Sequence, residues 1–339
     1  MTRAASRLLV AGAVVGALVT AGACDAPAPS VTTPQREGTA DRARLPAHYV
    51  LVGPGGARAF SSPPRSSDNR PATSDGIALP AGFGFVVTDR RVTADGPYVR
   101  LGQTGWVSAR HVVTVRPSTF AGITVPPGRA LDAAWVVVAQ AIVRATPDPA
   151  GRAVVTRPFH THLTLSGPCR DGWCPLPVGW LAARDVAVPL RRSRPAGAGP
   201  ADRWLDVDLD AQTLVAYQGD LPVFATLVST GIGQGDSPFA TPTGTFTVSR
   251  KAELVRMDNL EHTGVVPYSY DVPLAQYFSP GKALHAALWH DRFGRPTSHG
   301  CVNLSPADAA WLFTFTSADP GRRGTIVHVH GQRPPIAAR

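Results

Sequence analysis

From residue 48 onward the chain is a succession of short apolar runs broken by Gly, Pro, Asp and Ser, which predicts many short strands. Tyr49-Val50-Leu51-Val52, Phe83-Gly84-Phe85-Val86-Val87 and Tyr98-Val99-Arg100-Leu101 are the first group. Trp135-Val136-Val137-Val138-Ala139 and Leu163-Thr164-Leu165 follow, with Pro147-Asp148-Pro149 as a turn. Leu205-Asp206-Val207-Asp208-Leu209 alternates, which predicts three apolar residues facing a core and both Asp residues facing water. Segments 214–217 and 223–229 flank Gly219-Asp220 as a hairpin. Thr241-Pro242-Thr243-Gly244 is a tight turn feeding a strand over 245–250, and 324–329 is a final strand. One helix start is explicit: Ser305 as N-cap, Pro306 at the first helical position and Asp308 three residues past the cap. Ala307, Ala310, Trp311 and Phe315 recur at helical spacing and are expected to pack on the sheet.

Two endings align, Gly105-Trp106-Val107-Ser108-Ala109-Arg110-His111-Val112 and Gly179-Trp180-Leu181-Ala182-Ala183-Arg184-Asp185-Val186. They imply an internal repeat with a period of about 75 residues. The predicted units are 46–118 and 132–190, then a Pro/Gly linker over 191–201 and a last domain over 202–331. Small all-β units ending in Gly-Trp-Val resemble bacterial SH3-like domains. Trp106 and Trp180 could stack on a ligand or sit half-buried in a core; the core role is the commoner one.

Length, charge and cysteines narrow the picture. A chain of 339 residues suggests two or three domains, and 44% hydrophobic content is ample for their cores. The net charge of +9 asks for an acidic partner or setting. Basic residues are scattered apart from Arg191-Arg192-Ser193-Arg194 in the linker, and no nucleic-acid signature is present, so nucleic acid is set aside. At the N-terminus, Arg3 and Arg7 precede an apolar run over 8–19, and Ala21-Gly22-Ala23 precedes Cys24. This resembles the bacterial lipoprotein box: a signal peptide over 1–23, Cys24 lipidated, and a disordered tether over 24–45. The alternative is an ordinary cleaved signal peptide with Cys24 incidental. Either way the protein is expected to be exported, and a lipid anchor would hold it at the outer face of the cytoplasmic membrane. Cys169 and Cys174 flank an Asp171-Gly172 turn dipeptide, which looks like a disulfide-stapled hairpin. Metal binding is the rival there, but no second Cys or His pair at ligand spacing lies beside it.

With those cysteines assigned, Cys301 remains as the free thiol. It has His299 two residues before it and His285 sixteen before it. An imidazole is the usual means of lowering a thiol pKa, Gly300 would let a substrate carbonyl approach backbone N–H groups, and the coming helix N-terminus would favour a thiolate. His290 is a rival for the base on spacing.

Ser298-His299-Gly300-Cys301-Val302-Asn303-Leu304, with His285 upstream, resembles the signature of the YkuD-type L,D-transpeptidases of the bacterial cell wall. Ser229-Thr230-Gly231, Thr241-Pro242-Thr243-Gly244 and Gly324-Thr325-Ile326-Val327 also belong to that pattern. The resemblance covers roughly 202–331. It implies a mostly-β fold: a YkuD-like β-sandwich or barrel catalytic domain with a short helix after the nucleophile, preceded by the two small SH3-like domains.

It implies Cys301 as nucleophile and His285 as base, with His299 shaping the pocket, Ser298 bonding locally, and the N–H groups of Gly300 and Cys301 as oxyanion donors. Ala286 stands where relatives carry Gly or Ser, a change of little consequence if a backbone carbonyl orients the imidazole. Asn303 stands where many relatives carry Arg and is a candidate substrate contact, as are Tyr268 and Tyr270 in the region of a substrate-covering loop. The implied reaction forms 3→3 crosslinks between peptidoglycan stem peptides without metal or organic cofactor, and implies acylation by carbapenems. Anionic wall polymers or lipid head groups would suit the basic charge. An L,D-carboxypeptidase would share every catalytic residue, transfer to a protein amine is a third outlet, and a wall-binding lipoprotein without catalysis is the non-enzymatic alternative.

Overall fold

The computed structural model describes residues 45–64, 76–261, 266–318 and 324–332. The expected signal peptide, Cys24 and the expected tether up to residue 44 lie outside these. Among the described residues the chain is mostly β, and its one α-helix, Pro306–Phe315, follows the cysteine-bearing segment, as the sequence implies.

The C-terminal part is a two-layer sandwich. One layer runs Gly244–Thr247, Ile326–His330, Arg203–Asp208, Thr213–Gln218, Leu221–Leu227, Ile123–Thr124. The other contains Val302–Leu304, Lys282–Ala286, Ser269–Ser279 and Arg250–Asp258. Leu205, Val207, Leu214 and Phe224 of the first layer meet Leu274, Phe278, Leu284, Ala286, Val302 and Leu304 of the second. Ala309, Leu312 and Phe315 of the helix close the same core. The strand Ile123–Thr124 comes from the segment between the two N-terminal units, too short a run to announce itself in sequence.

Asp206 and Asp208 do not face water: both are buried. Alternation sorts them to the face away from Leu205 and Val207, but that face is also covered. Trp204, Val215, Tyr217, Ala225 and Leu227 pack there with Phe120, Trp135 and Ala187. The carboxylates are met in place: Asp206 lies 3.1 Å from His330 Nε2, and Asp208 Oδ1 accepts the N–H groups of Asp210 and Ala211, both at 2.9 Å. Asp208 Oδ2 accepts from Arg192 at 3.3 Å, and Arg194 and Arg191 both reach Asp220. The expected linker is therefore docked on the sandwich.

The helix is capped as expected, Ser305 Oγ accepting the Asp308 N–H at 3.2 Å. Phe315 lies in the core and Ala310 and Trp311 pack against it as expected, but Ala307 is exposed, and Asp308, Ala309 and Leu312 complete the inward face. The periodicity is shifted because a carboxylate occupies the inner face. Asp308 accepts the Gly122 N–H at 2.8 Å and the Thr226 hydroxyl, tying the helix to the sheet edge.

Each N-terminal unit has its own core: Val50, Phe83, Phe85, Val99, Leu101 and Val107 in the first, Val136, Val143, Leu163, Leu176 and Leu181 in the second. The two Gly-Trp endings build one local structure. Gly105–Ser108 and Gly179–Ala182 each run into a 3₁₀ turn, Ala109–His111 and Ala183–Asp185, through residues at φ,ψ of −61°,129° and −63°,129°. Glycine is required at both starts: φ is +126° at Gly105 and +141° at Gly179, and a Cβ would come within 2.5 Å of the Phe60 carbonyl oxygen or 2.3 Å of that of Arg144. Trp106 is buried under the Arg91 guanidinium. Cys169 and Cys174 are disulfide-bonded around a turn with Asp171 at φ 51° and Gly172 at φ 80°.

The unbroken apolar run at 133–136 is a strand buried on both sides. Ala134 and Val136 face the second unit's core, whereas Ala133 and Trp135 face the sandwich. The first unit joins the other layer, with Gly84 bridged to Tyr270 and the Val86 N–H donating to Asp271 Oδ2 at 3.0 Å.

Candidate active site

The strand Lys282–Ala286 pairs in parallel with Val302–Leu304, with Leu284 opposite Val302 and His285 opposite Asn303. Leu284, Ala286, Val302 and Leu304 point into the core, so His285 and Asn303 point to the other face. Cys301 immediately precedes the second strand, one step before Leu284 is matched, which puts it level with Ala283. His285 and Cys301 are then diagonal neighbours on one face, their Cα atoms about 8 Å apart, within reach of two side chains turned toward each other.

His285 is buried, and its Nδ1 lies 3.0 Å from the Ala286 carbonyl oxygen. A carbonyl can only accept, so Nδ1 carries the proton and Nε2 is the basic nitrogen. The backbone performs the orientation, whatever side chain stands at 286. Burial draws the imidazole down to about 4 against the opposing effect of that hydrogen bond, so it is neutral at pH 7.

The thiol does not behave as its sequence context suggests. Burial raises Cys301 above the ordinary thiol range; the Ala283 backbone and the Lys282 charge pull the other way. Two expected sources of a lowered pKa fail for physical reasons. His285 and His299 are both shifted down by burial and carry no positive charge at pH 7 to offer. The helix begins only at Pro306, with the strand Val302–Leu304 between, about 10 Å of extended chain; a helix terminus acts over roughly its first turn.

The Cys301 loop is bracketed by the two motifs singled out upstream. The Thr230 carbonyl accepts the N–H groups of Thr297 and Ser298, both at 3.0 Å. Thr241 Oγ1 donates to the Gly300 carbonyl at 3.0 Å and accepts the Gly231 N–H at 2.9 Å. Ser298 Oγ accepts the Gly300 N–H at 3.1 Å and donates to the Cys301 carbonyl. Ser298 is thus a brace of the loop. The Gly300 N–H, expected as an oxyanion donor, is already spent on it.

His299 lies flat on Tyr268, ring centroids 4.6 Å apart and planes 2° apart, with Phe239 at its edge. Tyr270 stacks on Trp289 at 4.3 Å, and Trp289 continues onto Tyr49 of the first unit at 6.1 Å. His290 is held at both nitrogens: Nδ1 accepts the Arg292 N–H at 3.2 Å, and Nε2 is 3.0 Å from the Asn303 side-chain amide. Engaged in this way, it is a weaker candidate than His285 for the base. Asn303 is buried against it at the cavity wall.

These residues line one cavity of about 610 Å³, with Cys301, His285, His299, Asn303, Tyr268 and Tyr270 all on its surface. Arg256, Asp258, Glu261, Lys282 and Arg292 contribute charge to the same walls. Lys282 was not singled out from the sequence; its only signal there is rarity, since the chain has two lysines. Among the described residues no group of three or more His, Cys, Asp or Glu side chains is placed to hold a metal ion. A half-buried thiol, a neutral imidazole with a free-standing basic nitrogen, and an adjoining cavity together suit acyl transfer through a thioester.

No curated protein matches the chain. An L,D-transpeptidase from Stackebrandtia nassauensis is 27% identical, over 43% of this chain and 62% of its own, with a TM-score of 0.33. A mutant L,D-transpeptidase from Enterococcus faecium is 26% identical, over 38% of this chain and 50% of its own, with a TM-score of 0.32. One from Mycobacterium smegmatis is 24% identical, over 50% and 82%, at 0.33. The chain thus spans somewhat less than two thirds of the length of the first of these. The family model that matches is YkuD, the L,D-transpeptidase catalytic domain, and it does so over residues 202–329.

Proposed function

We propose that this protein is a peptidoglycan L,D-transpeptidase with Cys301 as nucleophile and His285 as general base. The observation that carries the reading is the shared face of the two side chains, with Nδ1 of His285 committed to the Ala286 carbonyl so that Nε2 is the proton acceptor. Because burial disfavours both thiolate and imidazolium, the proton moves as the sulfur attacks and not before. Sulfur bonds to the carbonyl carbon of the third, diamino-acid residue of a tetrapeptide stem, and His285 takes the thiol proton. The tetrahedral intermediate collapses with cleavage of the C–N bond, and His285 returns the proton to the departing D-alanine amine. The side-chain amine of a second stem then attacks the thioester, losing a proton to His285, and the C–S bond breaks to give a 3→3 crosslink and the free thiol.

The N-terminal units serve in this reading as SH3-like wall modules, and the N-terminal sequence supports export with lipidation at Cys24. The basic charge suits an envelope rich in anionic polymers.

The test is mass spectrometry of purified disaccharide-tetrapeptide incubated with the protein and with Cys301→Ala. A dimer that has lost one D-alanine, absent with the variant, is the expected result. Tripeptide without dimer would favour the carboxypeptidase. No product and no carbapenem adduct from the wild type would overturn the enzyme reading and leave a wall-binding lipoprotein.

A further inference from the structure

Only two of the thirty-three basic side chains are lysines, Lys251 and Lys282. Lys251 has an evident place: its Nζ donates to the Phe313 and Thr316 carbonyls at the C-terminal end of the helix, where a cation is favoured. Lys282 lies at the start of the strand that carries His285, and its Nζ donates to the Pro238 carbonyl at 2.6 Å and to the His299 carbonyl at 2.9 Å. It therefore ties the nucleophile loop to the loop that faces it. Room for the ammonium is made by Gly300: at φ +106°, a Cβ there would lie 2.4 Å from Nζ and 2.7 Å from the Ala240 carbonyl oxygen. A compact ammonium fits this hollow, where the broad planar fork of arginine would not.

The surroundings of the sulfur show why a charge at this place matters. Lys282 and His285 approach Cys301 from the neighbouring strand, His299 from its own loop and Tyr268 from across the cavity. The histidines are neutral at pH 7. Of the other cations on the cavity wall, Arg256 is committed to Asp271 at 2.7 Å. Asp258 and Glu261 on the same wall would work against a thiolate.

We propose that Lys282 is the charged positioning residue of this site: it clamps the His299–Gly300 backbone to the Pro238 loop and holds a fixed positive charge beside the Cys301 sulfur. The inference deepens the transpeptidase reading and rests on it only for Cys301 as nucleophile.

The test is the pH dependence of Cys301 alkylation by iodoacetamide, followed on the Cys301 peptide by mass spectrometry in the wild type, Lys282→Met and Lys282→Gln. Both variants should shift the alkylation midpoint upward by about one unit, with alkylation at pH 7 slowed about tenfold. Glutamine keeps a hydrogen-bond donor without the charge, so a merely structural role would leave its midpoint at the wild-type value. That result, or an unshifted midpoint in a folded Lys282→Met, overturns the proposal. If the methionine variant fails to fold, the glutamine variant carries the test. Alkylation needs no stem peptide, which separates the two readings. A shifted midpoint in a protein that turns over no stem leaves the Lys282 role standing, and stem turnover with an unshifted midpoint removes it.

Discussion

The guanidinium of Arg295 donates twice to the Val137 carbonyl, at 3.0 and 2.7 Å, so the segment between His285 and Cys301 is fastened to the second N-terminal unit. His160 of that unit adds a second tie, its Nε2 donating to the Phe293 carbonyl at 3.0 Å while its ring lies between Phe159 and Phe120. On the other side Tyr49 of the first unit meets Trp289. Both N-terminal units therefore help to shape the wall of the cavity, beyond any role in finding the substrate.

Loosening those ties should be felt at the site. Arg295→Ala combined with His160→Ala is expected to speed amide hydrogen exchange across 289–297 and to slow acylation of Cys301 by a carbapenem about tenfold, as misplacement of a reacting group does. Exchange in the strand Arg203–Asp208 should not change. Unaltered exchange across 289–297 would mean that the loop holds itself.

The pH profile should report a base that is neutral well below the ordinary histidine range. With His285 at about 4, kcat/KM for stem peptide should hold steady down to roughly pH 5 and fall as the imidazole protonates below that. An acid limb near 6.5 would identify a less buried base. His285→Gln should lower the rate by about a hundredfold or more above roughly pH 5 and remove this limb, so that the deficit narrows at lower pH.

Asp308 links stability to pH in the opposite direction from most carboxylates. Burial raises it to about 6, against the hydrogen bonds from Thr226, Gly122 and Ser305. The folded state therefore holds this proton more tightly than the unfolded chain does. Its contribution is complete below about pH 4 and is lost as pH rises through 6, a change on the order of 3 kcal/mol. Urea unfolding between pH 4 and 7 should show a weaker decline in stability for Asp308→Asn than for the wild type. Parallel curves would show that the group is already ionised at little cost.

The Cys169–Cys174 bridge closes a short loop, so its removal is expected to cost the second unit about 2 kcal/mol. Replacing both cysteines with serine should raise hydrogen exchange in the strands Trp173–Leu176 and Gly179–Ala182. Alkylation of Cys301 should be unchanged, since the bridge lies in a separate core.

Local rules determined a good deal from sequence alone. The Ser305 cap with Pro306, the Asp171-Gly172 turn and the two Gly-Trp endings depend on neighbours within a few residues, and the folded chain builds each as its sequence reads. The cysteine motif is equally local. Its two companion motifs, Ser229-Thr230-Gly231 and Thr241-Pro242-Thr243-Gly244, mark the segments that bond to the Cys301 loop.

What only the tertiary structure decided is burial, because burial depends on what arrives from far along the chain. Asp206 and Asp208 alternate as water-facing residues should, yet Trp135 and Phe120 come from the second unit and the preceding segment to cover that face. Asp308 reads as a helix-start acid and turns inward because Gly122 and Thr226 wait for it. The same physics reverses the electrostatics of the site. Sequence proximity puts imidazoles beside the thiol and suggests a charged pair, but desolvation shifts those imidazoles toward the neutral form, and the neighbouring strand brings Lys282 to the loop that carries the thiol.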